Sequence, residues 1–386
     1  MTSSGTPAEP QRSQAATSSA RDVPAATTDD RADPSGKPSP RSPRAPLLHR
    51  LAPVLGLLLL APVCAEYLIG YDDSTGQPAE LLGGLVVFVP LYGCAALIIR
   101  EAARRAGRGW PTIMLLALAF GVLQPGLIDQ AMFNPSYRDI DYLQPMMRPT
   151  YIPAFGISAY LTLTWIAGHV IWSVSVPIAI VESFAPDHRR TQPWLGRLGL
   201  AIAVLLFLAG AAFVVQWHLR TEGFVPAVPQ LAGAAAVVVV LAGAAFATGR
   251  RPRPTASRSA PRPWLVGAVA FAALFLPMAV ELVTGVLGIG QGFVVDWPGV
   301  ALFVVPIAVL AGLLAAWSRR QGWGAPHRLA AAGGALLTNV VIGFFVQPLG
   351  DVTTTAELAH NTVVAAGAVA LLALAALRIR RRGEPR

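Results

Sequence analysis

Two glutamates stand inside otherwise apolar segments of this chain. Glu66 lies in the run LLLAPVCAEYLIG, and Glu281 lies in the run LFLPMAVELVTG. An ionised carboxylate is costly in an apolar environment, so each must face other protein groups or water. One interpretation is a proton- or cation-binding site that uses both carboxylates. The other is a pair of anchors at the level of lipid headgroups, held by tyrosines and backbone donors.

Composition indicates what surrounds these carboxylates. Of the 386 residues, 54% are hydrophobic and 13% are charged, whereas about a quarter are charged in ordinary soluble domains. Ten windows reach the roughly 20 apolar residues that a membrane span requires. The windows are 48–69, 81–99, 111–132, 155–181, 198–217, 229–248, 264–284, 298–317, 328–347 and 362–378. The sequence therefore predicts an all-α polytopic integral membrane protein with ten transmembrane helices.

Basic residues predict the orientation of these spans. If the N-terminus is cytoplasmic, only Arg138, Arg148 and Arg220 of the 30 basic residues fall in outer loops. The positive-inside rule predicts this asymmetry. We therefore expect both termini in the cytoplasm. The strong bias towards arginine over lysine is typical of a GC-rich bacterial gene, so the expected location is a bacterial cell membrane. The net charge of +9 is then explained by the orientation of the spans, and we expect no nucleic-acid partner.

A constant spacing indicates an internal repeat. Glu281 follows Glu66 by 215 positions, and Asn339 follows Gln124 by the same number. Because this offset spans six predicted helices, an even number, both copies would run in the same direction. The predicted organisation has five parts. They are a disordered cytoplasmic tail (1–47), a first four-helix repeat (48–196), two linking helices (197–250), a second four-helix repeat (251–378) and a basic tail (379–386).

Further polar residues extend the candidate site. Gln124 and Asn339 lie within predicted spans, where side-chain amides usually join helices through hydrogen bonds. Asp129 follows Pro125 and Gly126, which are expected to break the third helix and free backbone groups into a protein-lined cavity. The predicted polar site lies between the two repeats, in the outward half of the membrane. Its residues are Glu66, Gln124, Asp129, Glu281 and Asn339.

Three other polar residues have two interpretations each. Tyr137 and Tyr142 lie in the long outer loop 136–153, which forms either a lid over a cavity or an interfacial aromatic belt; the belt is the commoner arrangement. His169 in the fourth span either relays protons or joins helices through a hydrogen bond. Glu182, near the cytoplasmic end of that span, is expected to pair with arginines of the loop that follows it.

A resemblance adds a further hypothesis. The segment RGWPTIMLLALAFGVLQPGLIDQAMFNP, residues 108–135, resembles part of uncharacterised multi-pass bacterial membrane proteins. Its layout is similar to that of the CAAX-protease-like intramembrane family, whose signature is a paired Glu-Glu with a downstream Arg and later histidines. Gln124 and Pro125 stand where acidic residues occur in some of those proteins. Because the glutamate pair is absent, the resemblance assigns no catalytic residue to this chain.

Three functions are compatible with these observations. The first is a transporter-like or small-molecule-binding membrane protein, whose partners are the lipid bilayer and an unidentified small molecule or ion. The second is a membrane-embedded enzyme, in which Asp129 and His169 would meet in one cavity. The third is a scaffold or accessory subunit with a tightly filled interior. The residue pattern favours the first, gives no reason to expect a cofactor or metal, and does not indicate an oligomeric state.

Overall fold

The computed structural model describes residues 47–248, 258–287 and 295–383. Apart from its last residue, the predicted N-terminal tail lies outside these ranges. The described chain is almost entirely helical. The only strands within those ranges are β1 (Tyr151–Ile152) and β2 (Ile157–Ser158), which pair antiparallel. β1 lies in the predicted outer loop, and β2 lies at the start of the predicted fourth span.

The long helices are labelled α1 to α10, and shorter helical turns are named by their residues. Four of the long helices contain a π-helical segment, in which the chain winds more loosely than in an α-helix. The first four are α1 (Leu47–Pro62 with the π segment Val63–Tyr67), α2 (Pro78–Phe88, π Val89–Gly93, Cys94–Arg105), α3 (Trp110–Leu123, π Gln124–Ile128) and α4 (Ala159–Gly168, π His169–Ser175, Val176–Phe184). The others are α5 (Arg197–Thr221), α6 (Val228–Thr248), α7 (Pro263–Val286), α8 (Trp297–Trp317), α9 (Ala325–Ile342) and α10 (Thr354–Gly383).

Eight helices in the described ranges are long and apolar enough to cross a membrane, namely α2 to α8 and α10. The apolar part of α1, Leu51–Tyr67, is shorter, and α9 is not among the eight. The chain is therefore a multi-pass helical membrane protein. The count of ten spans stays a prediction.

α4 lies between two apolar cores. Ile178 and Ile180 are both fully buried, but they belong to different clusters. Ile178 packs among residues of α1, α2 and α3, whereas Ile180 packs among residues of α7, α9 and α10. Two residues advance by about 200° around an α-helix, so these side chains point in nearly opposite directions. One helix thus fills the space between the two halves of the chain.

Small residues set the closest helix contacts. In α9, Gly334 lies directly against the backbone carbonyl of Gly267 in α7. Such contacts are common between membrane helices, because the absence of a side chain lets two backbones approach. The corresponding pair in the first half, α1 and α3, does not pack in such close backbone contact. This packing gives no support to the predicted parallel repeat, which stays a prediction.

Candidate functional site

The four π-helical segments place polar residues in one group, which we call the polar cluster. Each segment supplies one member of it, namely Glu66, Tyr92, Gln124 or His169. Three residues from the connections complete the group, namely Tyr71, Asp129 and Tyr137. π segments are rare and often occur at functional sites, so their meeting at one place indicates a site.

Glu66 is bound by tyrosine hydroxyls. The Tyr71 hydroxyl donates a hydrogen bond to its Oε2 atom at 2.8 Å, and the Tyr92 hydroxyl also interacts with the carboxylate. Two further acids, Asp72 and Asp129, lie close enough to act on Glu66 electrostatically. The surroundings of Glu66 therefore combine neutral donors with negative charge.

Tyr92 and Gln124 form the deepest part of the cluster, and each is only 3% exposed. The Gln124 amide nitrogen donates to the Tyr92 hydroxyl at 3.1 Å. The amide oxygen of Gln124 is buried and has no hydrogen-bond partner among the described residues. A buried unpaired acceptor costs free energy, so this oxygen is suited to accept a hydrogen bond from a ligand.

Asp129 follows the last residue of α3. Its Oδ1 atom accepts from the backbone N–H of Ala131 at 3.0 Å, and its Oδ2 atom accepts from the Tyr137 hydroxyl at 3.4 Å. The Tyr137 ring stacks on His218 of α5, with ring centroids 5.4 Å apart. Burial raises the pKa of Asp129 to about 6, although these hydrogen bonds and the nearby His218 oppose the shift. Asp129 can therefore exchange a proton close to neutral pH.

This raised pKa predicts how stability depends on pH. The folded protein holds the Asp129 proton more tightly than the unfolded chain, where an aspartate titrates near about 3.9. The free energy of unfolding should therefore rise as pH falls through about 6, and level off near about 4. Asp129→Asn should reduce that rise. Unfolding of both proteins in detergent across this range measures it, with Asp187→Asn as the control. An unchanged pH dependence in Asp129→Asn would show that another group is responsible.

The structure brings only part of the predicted site together. Glu66, Gln124 and Asp129 join in the polar cluster, but Glu281 is exposed on α7, where it acts electrostatically on Tyr160. Asn339 is buried on α9. In the part of the chain that the structure describes, no hydrogen bond or ion pair joins either side chain to the polar cluster. The pairing of Glu66 with Glu281 is therefore not seen.

The enzyme hypothesis requires His169 to meet Asp129, but the described contacts of His169 are with other residues. Its Nδ1 atom shares a hydrogen bond with the Ser173 hydroxyl at 3.1 Å, and its ring stacks on Tyr92 with centroids 5.8 Å apart. The histidine that acts on Asp129 is His218. Sequence reasoning missed Tyr92 and His218. Tyr92 carries the one hydroxyl in the apolar run VVFVPLYGCAALII. This isolated polar group could have identified it as a candidate site residue.

An acidic cavity of about 330 Å³ lies between the predicted outer loop and two other connections of the chain. Its lining residues are Asp73, Arg138, Asp139, Ile140, Asp141, Tyr142, Leu349 and Gly350. Arg138 binds both oxygens of Asp72 at 3.2 and 3.0 Å, and it acts electrostatically on Tyr137. The ion pair thus lies between cavity and cluster. Tyr137 belongs to the cluster, whereas Tyr142 is 48% exposed at the cavity.

A buried charge network lies at the opposite end of α2 and α4. Glu182 accepts hydrogen bonds from Arg104 at 2.8 Å and from Arg100 at 3.1 Å. Arg100 and Glu101 have no exposed surface and bind each other at 3.0 Å. The Arg100 guanidinium also lies 3.2 Å from the ring centroid of Trp194. The Glu182 carboxylate therefore pairs with arginines of α2, whereas Arg190 of the following loop donates to the Glu182 backbone oxygen at 3.1 Å.

Comparison with known proteins identifies one family. The model of an uncharacterized membrane protein family matches residues 55–259, slightly more than half of the chain. No curated protein and no solved structure matches. The polar cluster and the charge network lie inside the matched segment, whereas Glu281 and Asn339 lie beyond it. The resemblance to the CAAX-protease-like family stays a prediction.

Proposed function

This chain belongs to that uncharacterized family of membrane proteins, and we propose that it is a transporter-like protein that binds a small cation or a proton at the polar cluster. One observation carries the proposal: Glu66 and Asp129 lie in the same cluster, surrounded by tyrosine hydroxyls. Their hydrogen-bond donors include the hydroxyls of Tyr71, Tyr92 and Tyr137, the Gln124 amide and the backbone of Ala131. None of these donors is positively charged.

The electrostatics favour a positive ligand. Two carboxylates in a low dielectric repel each other, and a bound proton or cation relieves that repulsion. Arg138, which interacts electrostatically with Tyr71 and Tyr137, is already paired with Asp72. The buried amide oxygen of Gln124 adds a neutral acceptor beside the carboxylates. Together these groups offer a cation two negative oxygen sites and one neutral one.

The acidic cavity supports a route to the cluster. Asp73, Asp139 and Asp141 line it, and negative charge at an entrance raises the local concentration of cations. The Arg138–Asp72 ion pair lies between this cavity and the tyrosines of the cluster. A cation entering from the loop side would therefore meet this pair before it meets Glu66.

Transport measurements on purified protein in liposomes test the proposal. The liposomes contain a pH-sensitive dye, and flux is followed under an imposed potential with a panel of monovalent and organic ammonium ions outside. Glu66→Gln combined with Asp129→Asn should abolish a flux that the wild type shows. Glu281→Gln is the matched control, because it removes an exposed carboxylate outside the cluster, and it should transport like the wild type.

The outcomes separate the hypotheses. Flux that persists in the double variant would remove the polar cluster from the transport path. Equal loss in Glu281→Gln would show that the effect is not specific to the cluster. If the wild type moves no ion of the panel and all proteins remain monodisperse, the scaffold hypothesis becomes the better explanation.

A further inference from the structure

We propose that an arginine-rich surface at the other end of the helices binds the phosphate of an anionic phospholipid. This arginine surface is formed where the ends of α2 and α4 meet the start of α9 and the end of α10. Its members are Arg104, Arg108, Arg190, Arg328, Arg378 and Arg382. The inference is independent of the proposed transport function, because it uses different residues at the opposite end of the molecule.

Electrostatic contacts show that these arginines form one group. Arg328 lies close enough to Arg190 and Arg104 for their positive charges to repel one another. Arg382 has Arg190 and Arg378 as charged neighbours, and it donates to the backbone oxygens of Ala185 and Phe184 at 2.6 and 2.9 Å. Residues that are far apart in the sequence thus place like charges side by side.

The acids described at this surface are already paired. Both oxygens of Glu182 accept hydrogen bonds from Arg104, and one also accepts from Arg100. Asp187 binds Arg190 at 2.6 Å. These two carboxylates are the acidic groups that act on Arg328. The arginine surface therefore keeps an excess of positive charge.

Donors are available for an added anion. Over the described ranges, no hydrogen bond joins the Arg328 guanidinium to another residue. The Nη1 atom of Arg108 is buried and has no hydrogen-bond partner among the described residues. The backbone oxygen of Arg108 accepts a hydrogen bond from Arg104 at 3.3 Å, so Arg108 lies beside the buried charge network. Guanidinium groups bind phosphate oxygens through paired, charge-assisted hydrogen bonds. One phosphate between these groups would satisfy donors and relieve the repulsion.

The position of the surface favours a lipid as the source of the phosphate. α2 ends at Arg105 and α4 ends at Phe184, and the ends of spans lie at the level of the headgroups. Leu374 is exposed on α10, one turn before Arg378 and on the same face. An acyl chain can lie on this apolar surface while the headgroup reaches the arginines. Basic pockets between membrane helices bind anionic headgroups in this way.

Thermal unfolding of the purified full chain in zwitterionic detergent tests the inference. Phosphatidylglycerol, phosphatidylcholine or inorganic phosphate is titrated in, and the unfolding midpoint is followed. Phosphatidylglycerol should raise the wild-type midpoint, whereas phosphatidylcholine and inorganic phosphate should not. Arg328→Gln should weaken the apparent affinity for phosphatidylglycerol by about five-fold, as expected for one arginine near the surface. Arg220→Gln, which removes an exposed arginine at the opposite end of the helices, should match the wild type.

Two further readouts keep the result unambiguous. Without anionic lipid, Arg328→Gln should be at least as stable as the wild type, because it removes one of several neighbouring positive charges and no hydrogen bond. Equal stabilisation by both lipids, or an equal loss of affinity in Arg220→Gln, would overturn the inference. Saturation of the effect by inorganic phosphate alone would assign the site to a soluble anion and would also overturn it.

Discussion

Glu182→Ala should lower the free energy of unfolding by about 3–5 kcal/mol, the usual cost of removing one partner from a buried ion pair. The Glu182 side chain is 6% exposed, and those of Arg100 and Arg104 are 0% and 3% exposed. Removing the carboxylate leaves two guanidinium groups facing each other in a region from which water is largely excluded. Glu101 cannot replace it, because Glu101 already accepts from Arg100 and from the Trp194 backbone.

Reversible unfolding in mixed micelles measures this change. Asp187→Asn is the matched control, because the Asp187 side chain is 78% exposed in its pair with Arg190. Exposed pairs contribute at most about 1 kcal/mol, so the control should stay close to the wild type. If both variants lose similar amounts of stability, the buried charge network does not stabilise the fold more than an exposed ion pair does.

Gly334→Val should cost about 1–3 kcal/mol, the range for overpacking a close contact. A Cβ atom at position 334 would collide with the backbone oxygen of Gly267 and approach the backbone nitrogen of Phe271 to 3.0 Å. Backbone atoms cannot rotate away as side chains do. α7 and α9 would therefore have to separate, which opens the second apolar core around Leu336.

Gly312→Val in α8 is the control for this change. A Cβ atom there meets nothing within 4 Å, and the substitution alters helix propensity in the same way. The difference in stability between the two variants isolates the collision. Equal stability would mean that α7 and α9 are not in such close contact.

The membrane class and the positions of most helices follow from the sequence alone. The window 198–217 falls inside Arg197–Thr221, and the window 264–284 falls inside Pro263–Val286. A run of about 20 apolar residues is a local property and needs no knowledge of neighbouring elements. Because an apolar run is only a local property, the windows at α1 and α9 predict helices but do not determine how much of the bilayer these helices cross.

The composition of the site could be predicted only in part. The constant offset places Glu66 and Glu281 at comparable positions along two helices, but it does not determine which neighbour each one faces. Glu66 meets tyrosines because the chain turns back at Tyr71, whereas the position equivalent to Tyr71 after Glu281 is Val286 and Glu281 stays exposed. Asp129 was identifiable because Pro125 and Gly126 precede it. Its contact with Tyr137 and the role of His218 depend on how α5 packs, which no local pattern encodes.

The two opposite buried faces of α4 have a mechanical consequence. A helix that fills two cores at once cannot slide or tilt without disrupting both, so α4 acts as a fixed axis for the molecule. α8 buries little of its surface against the rest of the described chain and can move relative to α4 at lower cost. Any opening of the polar cluster is therefore expected to come from movement of other helices relative to α4, while the π segment of α4 keeps its position.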